Sequence, residues 1–383
     1  MQTPPTTDSR TDFNITLNGY RGLCAMFVFV FHLGSAGVIA WPSQYAAGAV
    51  DSSFLGNAAY HLWASLSYGV DMFFMISGFV ILGSLLRHEE VGDFLQDRVI
   101  RIFSAWIPAV VAVGIVCAAF RMKVFADVTL VEGAWIFIAN LFLLPPLVPL
   151  PLLHIGSWSL TYEWVFYLTA AAGALAYRRA PGSAWATACW VVPATLFICT
   201  YPRALYFVTG VLVFKYRDWF ATQTRWLKWP VASLIVFLVS WRAIGTDQEH
   251  VHSTLTDLIA DGRWIFALVA FLASLHLFAT VCLNSSRQVA FLNGAVFQFL
   301  GKISYSLYLW HVLVMSVTKR IAIAELVPRF GATLGFVLFT LSSLVLSIVL
   351  SWLSWRLFEV IAARKVRAAL HRRPVPAPVV SVQ

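Results

Sequence analysis

Arg21 and His32 stand eleven residues apart in an otherwise apolar run. That is almost three turns of α-helix, so both side chains face the same way, about 16 Å apart along the axis. Ionisable groups inside a membrane helix cost roughly 3 kcal/mol each at the centre, and mark either function or a satisfied structural pair. The structural alternative here is an interfacial arginine plus a hydrogen-bonded core histidine. Arg98 and Arg101, in Asp97-Arg98-Val99-Ile100-Arg101, share one helix face at i, i+3. Guanidinium forks suit phosphate oxygens, although ordinary anchoring at a membrane surface uses the same residues. Two carboxylates lie in apolar surroundings, Asp71 in Gly69-Val70-Asp71-Met72 and Glu163 in Ser157-Trp158-Ser159-Leu160-Thr161-Tyr162-Glu163. Ser159 and Glu163 share a face at i, i+4. Counted from the basic loops, both carboxylates fall in the outer half of a membrane, where His32 suits them as a partner. The other reading is hydrogen bonding that only ties helices together. Ser304, Tyr308 and His311 form a polar stripe at i, i+4, i+7, which either lines a cavity or joins helices. His276 is isolated and reads as a structural histidine.

The arrangement is directional. Arginines gather at one mouth, and a histidine and carboxylates lie deeper. An anionic donor could dock on the arginines and extend its reactive end toward His32. A neutral histidine paired with a carboxylate is a general base for a hydroxyl. This is acyl-transfer logic. A proton-coupled transporter or flippase of polar or lipid-linked cargo, with His32, Asp71 and Glu163 as its relay, uses the same residue types. A partner within a polysaccharide export complex is a third reading.

The elements that must hold these side chains are membrane helices. Of the 383 residues, 60% are hydrophobic and only 12% charged, about half the charged share of a soluble domain. Mean hydropathy is +0.76. Such a chain cannot cover its surface with polar groups, so its solvent is lipid. About ten apolar segments are expected to span, near 20–40, 62–86, 102–120, 156–177, 184–201, 203–217, 229–245, 263–283, 299–318 and 332–356. The stretch 134–153 is apolar as well, but Pro145, Pro146, Pro149 and Pro151 each lack a backbone donor. It reads as a helix followed by a re-entrant or interfacial loop. With the N-terminus inside, Lys and Arg fall about two to one on the inner side, Arg87, Arg98, Arg101, Arg178 and Arg225 among them. Both termini are therefore expected in the cytoplasm. The net charge of +9 follows this topology and implies no nucleic-acid partner. Cys24, Cys117, Cys189, Cys199 and Cys282 lie in or beside apolar runs without metal-ligand spacing. They read as small buried hydrophobes, with neither a disulfide framework nor a metal site. Residues 1–16 read as a loose polar segment, 17–360 as the transmembrane domain, and 361–383 as a basic, Pro-rich tail, disordered from about 364 and lying against anionic lipid.

The chain resembles the bacterial acyltransferase-3 family of membrane-bound O-acyltransferases over about 17–360. The resemblance rests on Leu17-Asn18-Gly19-Tyr20-Arg21-Gly22 followed by His32, and on Gly69-Val70-Asp71-Met72-Phe73-Phe74 through Ser77-Gly78-Phe79. Arg98-Val99-Ile100-Arg101 and Ser157-Trp158-Ser159-Leu160 with Glu163 continue it. Ile303-Ser304-Tyr305-Ser306-Leu307-Tyr308-Leu309-Trp310-His311 and Ser351 through Arg356 with Glu359 complete it. It implies transfer of an acyl group, commonly acetyl, from cytosolic acyl-CoA to a hydroxyl of a cell-surface glycan, lipid-linked saccharide or similar acceptor. By position, His32 becomes the catalytic base, and Glu163 orients it or shuttles its proton. Arg21, Arg98 and Arg101 hold the acyl-CoA phosphates or thioester arm. Asp71, Ser159, Tyr308 and His311 line the cavity. No cofactor is bound permanently, because acyl-CoA, most simply acetyl-CoA, is a co-substrate. The implied location is the bacterial cytoplasmic membrane, as a multi-pass protein. Some members carry a fused extracytoplasmic hydrolase-like domain, which this chain is expected to lack. A second copy of the chain is a further partner to test for. No activated serine or cysteine stands out, which favours direct attack of the acceptor on the thioester over an acyl-enzyme.

Overall fold

The computed structural model describes residues 14–40, 54–120, 123–125, 128–245 and 254–370, and among these the protein is helical with no strand. Asn14 caps the first helix, its side chain accepting from the Leu17 amide at 2.9 Å. That helix, α1, runs Ile15–Ala40, so it begins just before the expected domain boundary. The helices α2 (Phe54–Ser65) and α3 (Gly69–Arg87) are joined by a short 3₁₀ turn. α4 follows at Val91–Ala119. The proline-rich region contains α5, Leu130–Leu141, opened by a Thr129/Glu132 capping box. Its 12 residues extend about 18 Å, short of the roughly 30 Å hydrocarbon core. The loop after it folds back on two polar side chains. Asn140 binds the Pro151 carbonyl and the Leu153 amide, and the Thr161 hydroxyl reaches the Leu143 and Pro145 carbonyls.

Beyond this loop come α6 (Ser157–Arg179), α7 (Ala184–Thr200), α8 (Leu205–Lys215), the short α9 (Arg217–Thr222), α10 (Pro230–Ala243) and α11 (Leu255–Ala260). The chain then forms α12 (Trp264–Leu283), α13 (Ala295–Ile321), α14 (Val327–Ser354) and α15 (Ala363–Leu370). A helix thus lies in each of the ten expected segments. Among the described residues, four stretches are long and apolar enough to cross a membrane: Tyr60–Arg87, Val91–Ala119, Trp264–Leu283 and Ala295–Leu370. The last is not one rod, because Gly331 (φ 79°) breaks the helical path within α14. The tail expected to be disordered from about 364 instead stays helical to Leu370. Arg367 holds it by donating to Asp97 on α4 at 3.1 Å.

Close pairs build the frame: α1 on α13, α3 on α8, α10 on α12 and α13 on α14. Without a hydrophobic drive between helices in lipid, small residues let backbones approach. A Cβ on Gly301 would stand 2.0 Å from the Asn18 carbonyl oxygen, and one on Gly78 would stand 2.0 Å from that of Phe207. These contacts fix α1 against α13 and α3 against α8. His276 ties the other side together, meeting the Ser233 hydroxyl at 2.7 Å and the Trp226 carbonyl at 2.9 Å.

Candidate active site

Helix α3 is a ruler for the polar residues. Asp71, near its start, is fully buried and takes two bonds from Arg203, at 2.9 Å from Nε and 2.6 Å from Nη2. The Trp158 ring lies 4.4 Å from the Arg203 guanidinium carbon. Six residues on, about 9 Å along the axis, Ser77 donates to Glu163 at 2.8 Å. The Tyr167 hydroxyl donates to the same carboxylate oxygen. Seven residues further, Ser84 accepts from Arg98 Nη2 at 3.2 Å. Asp71 and Glu163, both expected in the outer half of the membrane with His32 as a suitable partner, belong to different layers along α3. Each is satisfied by groups other than His32.

A cavity of about 240 Å³ opens beside α3, and Arg21, Arg98, Arg101 and Glu163 line it. The arginines arrive from two helices, Arg21 from α1 and the i, i+3 pair from α4. Buried Arg98 Nε has no hydrogen-bond partner. Among the described residues, neither Arg21 nor Arg101 donates a hydrogen bond to a protein acceptor. Both interact electrostatically with Glu163 and Glu359. Glu359, from the segment after α14, accepts from Ser306 at 2.6 Å. Three guanidiniums against two carboxylates leave the cavity net positive when both acids are ionised. Guanidinium donors without protein acceptors in a positive cavity suit an anion with several oxygens.

Tyr308 and Ser159 also line the cavity. The Tyr308 ring centroid lies 6.2 Å from that of His311, whose Nε2 is 3.2 Å from His32 Nδ1. His32 Nδ1 also lies 3.0 Å from the Val28 carbonyl, and His311 Nδ1 lies 2.7 Å from that of Leu307. A carbonyl only accepts, so each Nδ1 carries a hydrogen when the rings are neutral. The single His32 Nδ1 hydrogen is then shared between the Val28 carbonyl and His311 Nε2, and His32 Nε2 is left with a free lone pair. The backbone and His311 thus select the tautomer a general base needs.

The structure brings Arg21, Arg98, Arg101 and Glu163 together with Ser159 and Tyr308 at one cavity, and pairs His32 with His311 beyond it. Asp71 stands apart from both groups. Sequence reasoning did not find Arg203 as the Asp71 partner. It placed Glu359 in a matching segment but gave it no position among the arginines. It did not single out His154, which is buried in the proline-rich loop. His154 Nε2 donates to the Leu309 carbonyl at 2.7 Å, and its Nδ1 accepts from the Gly156 amide at 3.0 Å. It anchors the loop on α13. The only signal for it was a polar side chain within an apolar, proline-rich run.

Comparison with known proteins gives this geometry a context. The chain matches the acyltransferase domain family over residues 14–356. It is 27% identical over 325 residues to the O-acetyltransferase OatA of Staphylococcus aureus, covering 72% of this chain and 51% of that protein. The chain thus spans about half the length of that relative. It is 25% identical over 380 residues to the acyltransferase MdmB of Streptomyces mycarofaciens, covering 94% of this chain and 93% of that one. No solved structure matches significantly. With a family match that runs through both the arginine cavity and the histidine pair, the chain belongs to the acyltransferase-3 family.

Proposed function

We propose that this protein is a membrane-embedded O-acyltransferase that moves an acyl group, acetyl in the simplest case, from acyl-CoA to a hydroxyl. The acceptor class is a cell-surface glycan, a lipid-linked saccharide or a similar molecule. The observation that carries this reading is the net-positive cavity with unmet guanidinium donors, lined also by Tyr308, whose ring neighbours His311 and through it His32. Its volume of about 240 Å³ is below that of a typical pocket for a whole drug-sized ligand, about 300–1,000 Å³. It suits the thioester arm, with the phosphates on Arg21, Arg98 and Arg101 and the nucleotide outside.

In the reaction, the acceptor hydroxyl gives its proton to His32 Nε2 while its oxygen bonds to the thioester carbonyl carbon. The carbonyl electrons move to oxygen, and the tetrahedral centre then collapses. The C–S bond breaks, and the CoA thiolate takes the proton back from His32. No acyl-enzyme is needed. Glu163, held by Ser77 and Tyr167, acts among the arginines, setting their charge and geometry. The protein is placed in the bacterial cytoplasmic membrane with about ten spans and both termini in the cytoplasm, so acyl-CoA enters at the arginines and the acceptor meets the histidines.

The test uses membranes holding wild-type or His32→Ala protein and acetyl-labelled acetyl-CoA, with label followed into glycan and lipid-linked fractions. Transfer by wild type alone supports the reading. Transfer at the wild-type rate by His32→Ala removes His32 as base. A protein that fails to bind acyl-CoA yet moves a polar cargo under a pH gradient would instead be a transporter.

A further inference from the structure

Tyr308, Ser159 and Gly156 form a closed triangle of oxygens. The Tyr308 hydroxyl is 2.7 Å from Ser159 Oγ and 2.9 Å from the Gly156 carbonyl oxygen, and Ser159 Oγ is 3.0 Å from that same carbonyl. Three contacts are served by two hydrogens, since the carbonyl has none to give. If both hydroxyls donated to Gly156, the shortest contact would lack a hydrogen. One hydroxyl therefore donates to the other, and the second to the carbonyl. When the Tyr308 hydrogen turns to a ligand, the Ser159 hydrogen bridges the 2.7 Å contact to the phenol oxygen, and the Gly156 carbonyl, at the N-cap of α6, keeps its intrahelical bond, so no buried group is stranded.

Both Tyr308 and Ser159 line the cavity. Both are otherwise buried, at 7% and 5% exposure, so a bond made there is not exchanged with bulk water. On α13, Tyr308 lies between Ser304, which lines the cavity with the arginines, and His311, whose ring centroid is 6.2 Å from that of Tyr308. Its position is fixed from three sides. Gly156 is held through its amide by His154, its missing side chain makes room for the ring, and the Phe73 ring lies 6.4 Å away. A Cβ on Gly156 would stand 3.0 Å from the Tyr308 hydroxyl and 3.1 Å from its ring.

We infer that Tyr308 is a catalytic residue that donates a hydrogen bond to the thioester carbonyl oxygen as it becomes an oxyanion, with Ser159 and Gly156 as its positioning residues. The inference rests on the acyl-CoA reading above. Donors preset where charge develops stabilise the transition state more than the ground state. The proton stays on the phenol throughout, and the electron and proton movements are those already given.

The experiment is carried out on the full chain in lipid-containing micelles, with acetyl-CoA labelled with ¹³C at its carbonyl. The carbonyl stretch of the bound thioester is recorded without acceptor, and kcat and KM are measured with acceptor-containing membrane fractions. Tyr308→Phe keeps the ring and its packing. It should lower kcat by about 10²- to 10³-fold, leave KM for acetyl-CoA nearly unchanged, and abolish the low-frequency carbonyl shift expected of wild type. Gly156→Ala, which retains the phenol but displaces it, should weaken the shift and lower kcat while the thioester still binds. A purely structural tyrosine would leave the carbonyl frequency untouched. An unchanged shift in Tyr308→Phe, or a kcat equal to wild type, overturns the role. If wild type itself neither binds the thioester nor transfers acetyl, the acyl-CoA reading falls, and this role falls with it.

Discussion

The Asp71–Arg203 pair offers a quantitative test of which polar residues belong to the chemistry. Asp71 is fully buried, and the Arg203 side chain is 15% exposed. The carboxylate receives two guanidinium bonds. Truncating either partner alone leaves a buried charge uncompensated, which costs about 3–5 kcal/mol. Replacing both with apolar groups of similar volume removes the desolvation cost along with the attraction, and is often neutral or stabilising. Loss of the Arg203–Trp158 stacking withdraws about 0.5–2 kcal/mol. The double variant Asp71→Leu/Arg203→Met should therefore lie within about 2 kcal/mol of wild type, whereas the two single costs sum to about 6–10 kcal/mol. The coupling in the double-mutant cycle is then at least about 4 kcal/mol. Equilibrium unfolding in mixed micelles measures all four corners. Acetyl transfer by the refolded double variant is the second readout, because a pair that only fastens α3 to the start of α8 can be exchanged without loss of turnover. Additive single effects would refute the buried-pair reasoning. A stable but inactive double variant would place Asp71 or Arg203 in the reaction and reopen the proton-relay reading.

Other outcomes follow from the same geometry. Arg98→Ala and Arg101→Ala should each raise KM for acyl-CoA with the fold intact, and unchanged titration curves in both would end the phosphate-binding role. Gly78→Ala sets a Cβ against the Phe207 carbonyl at 2.0 Å. It should force α3 from α8 and destabilise by about 1–3 kcal/mol, as overpacking does; unfolding at the wild-type midpoint would contradict the close packing. His154→Ala frees the Gly156 amide and the Leu309 carbonyl and should lower kcat by loosening Tyr308, with acyl-CoA binding retained; equal kcat would show that the loop holds without it. Glu359→Gln removes a negative charge near Arg21 and Arg101 and should tighten binding of a CoA-sized anion, read as a lower Kd by calorimetry, whereas a weaker one would mean that Glu359 orients the arginines rather than competing for them.

The sequence alone determined the kind of molecule and the positions of its helices. Apolar runs of the right length, broken by prolines at 145–151, can satisfy their backbones in lipid only as helices, and a helix occupies each expected segment. Spacing also determined what shares a face. Arg98 and Arg101 at i, i+3, and the Ser304, Tyr308, His311 stripe, are local consequences of 3.6 residues per turn. The family was legible because its short motifs occur together and in order.

Partners were not legible, because periodicity is silent about which faces meet. Asp71 and Arg203 are separated by 132 positions, and nothing local to either names the other. The same holds for His32 with His311, Ser306 with Glu359, and Tyr308 with Gly156. His32 was expected beside a carboxylate because that is the chemically simplest match for a buried charge. The fold instead gave Glu163 to Ser77 and Tyr167, gave Asp71 to Arg203, and left His32 against a second imidazole. What decided this was backbone approach at a few glycines, where α1 meets α13 and α3 meets α8. That closeness sets the height of each helix against its neighbour. Height, more than residue type, determined whether a polar side chain became an anchor, a layer of the cavity or a base.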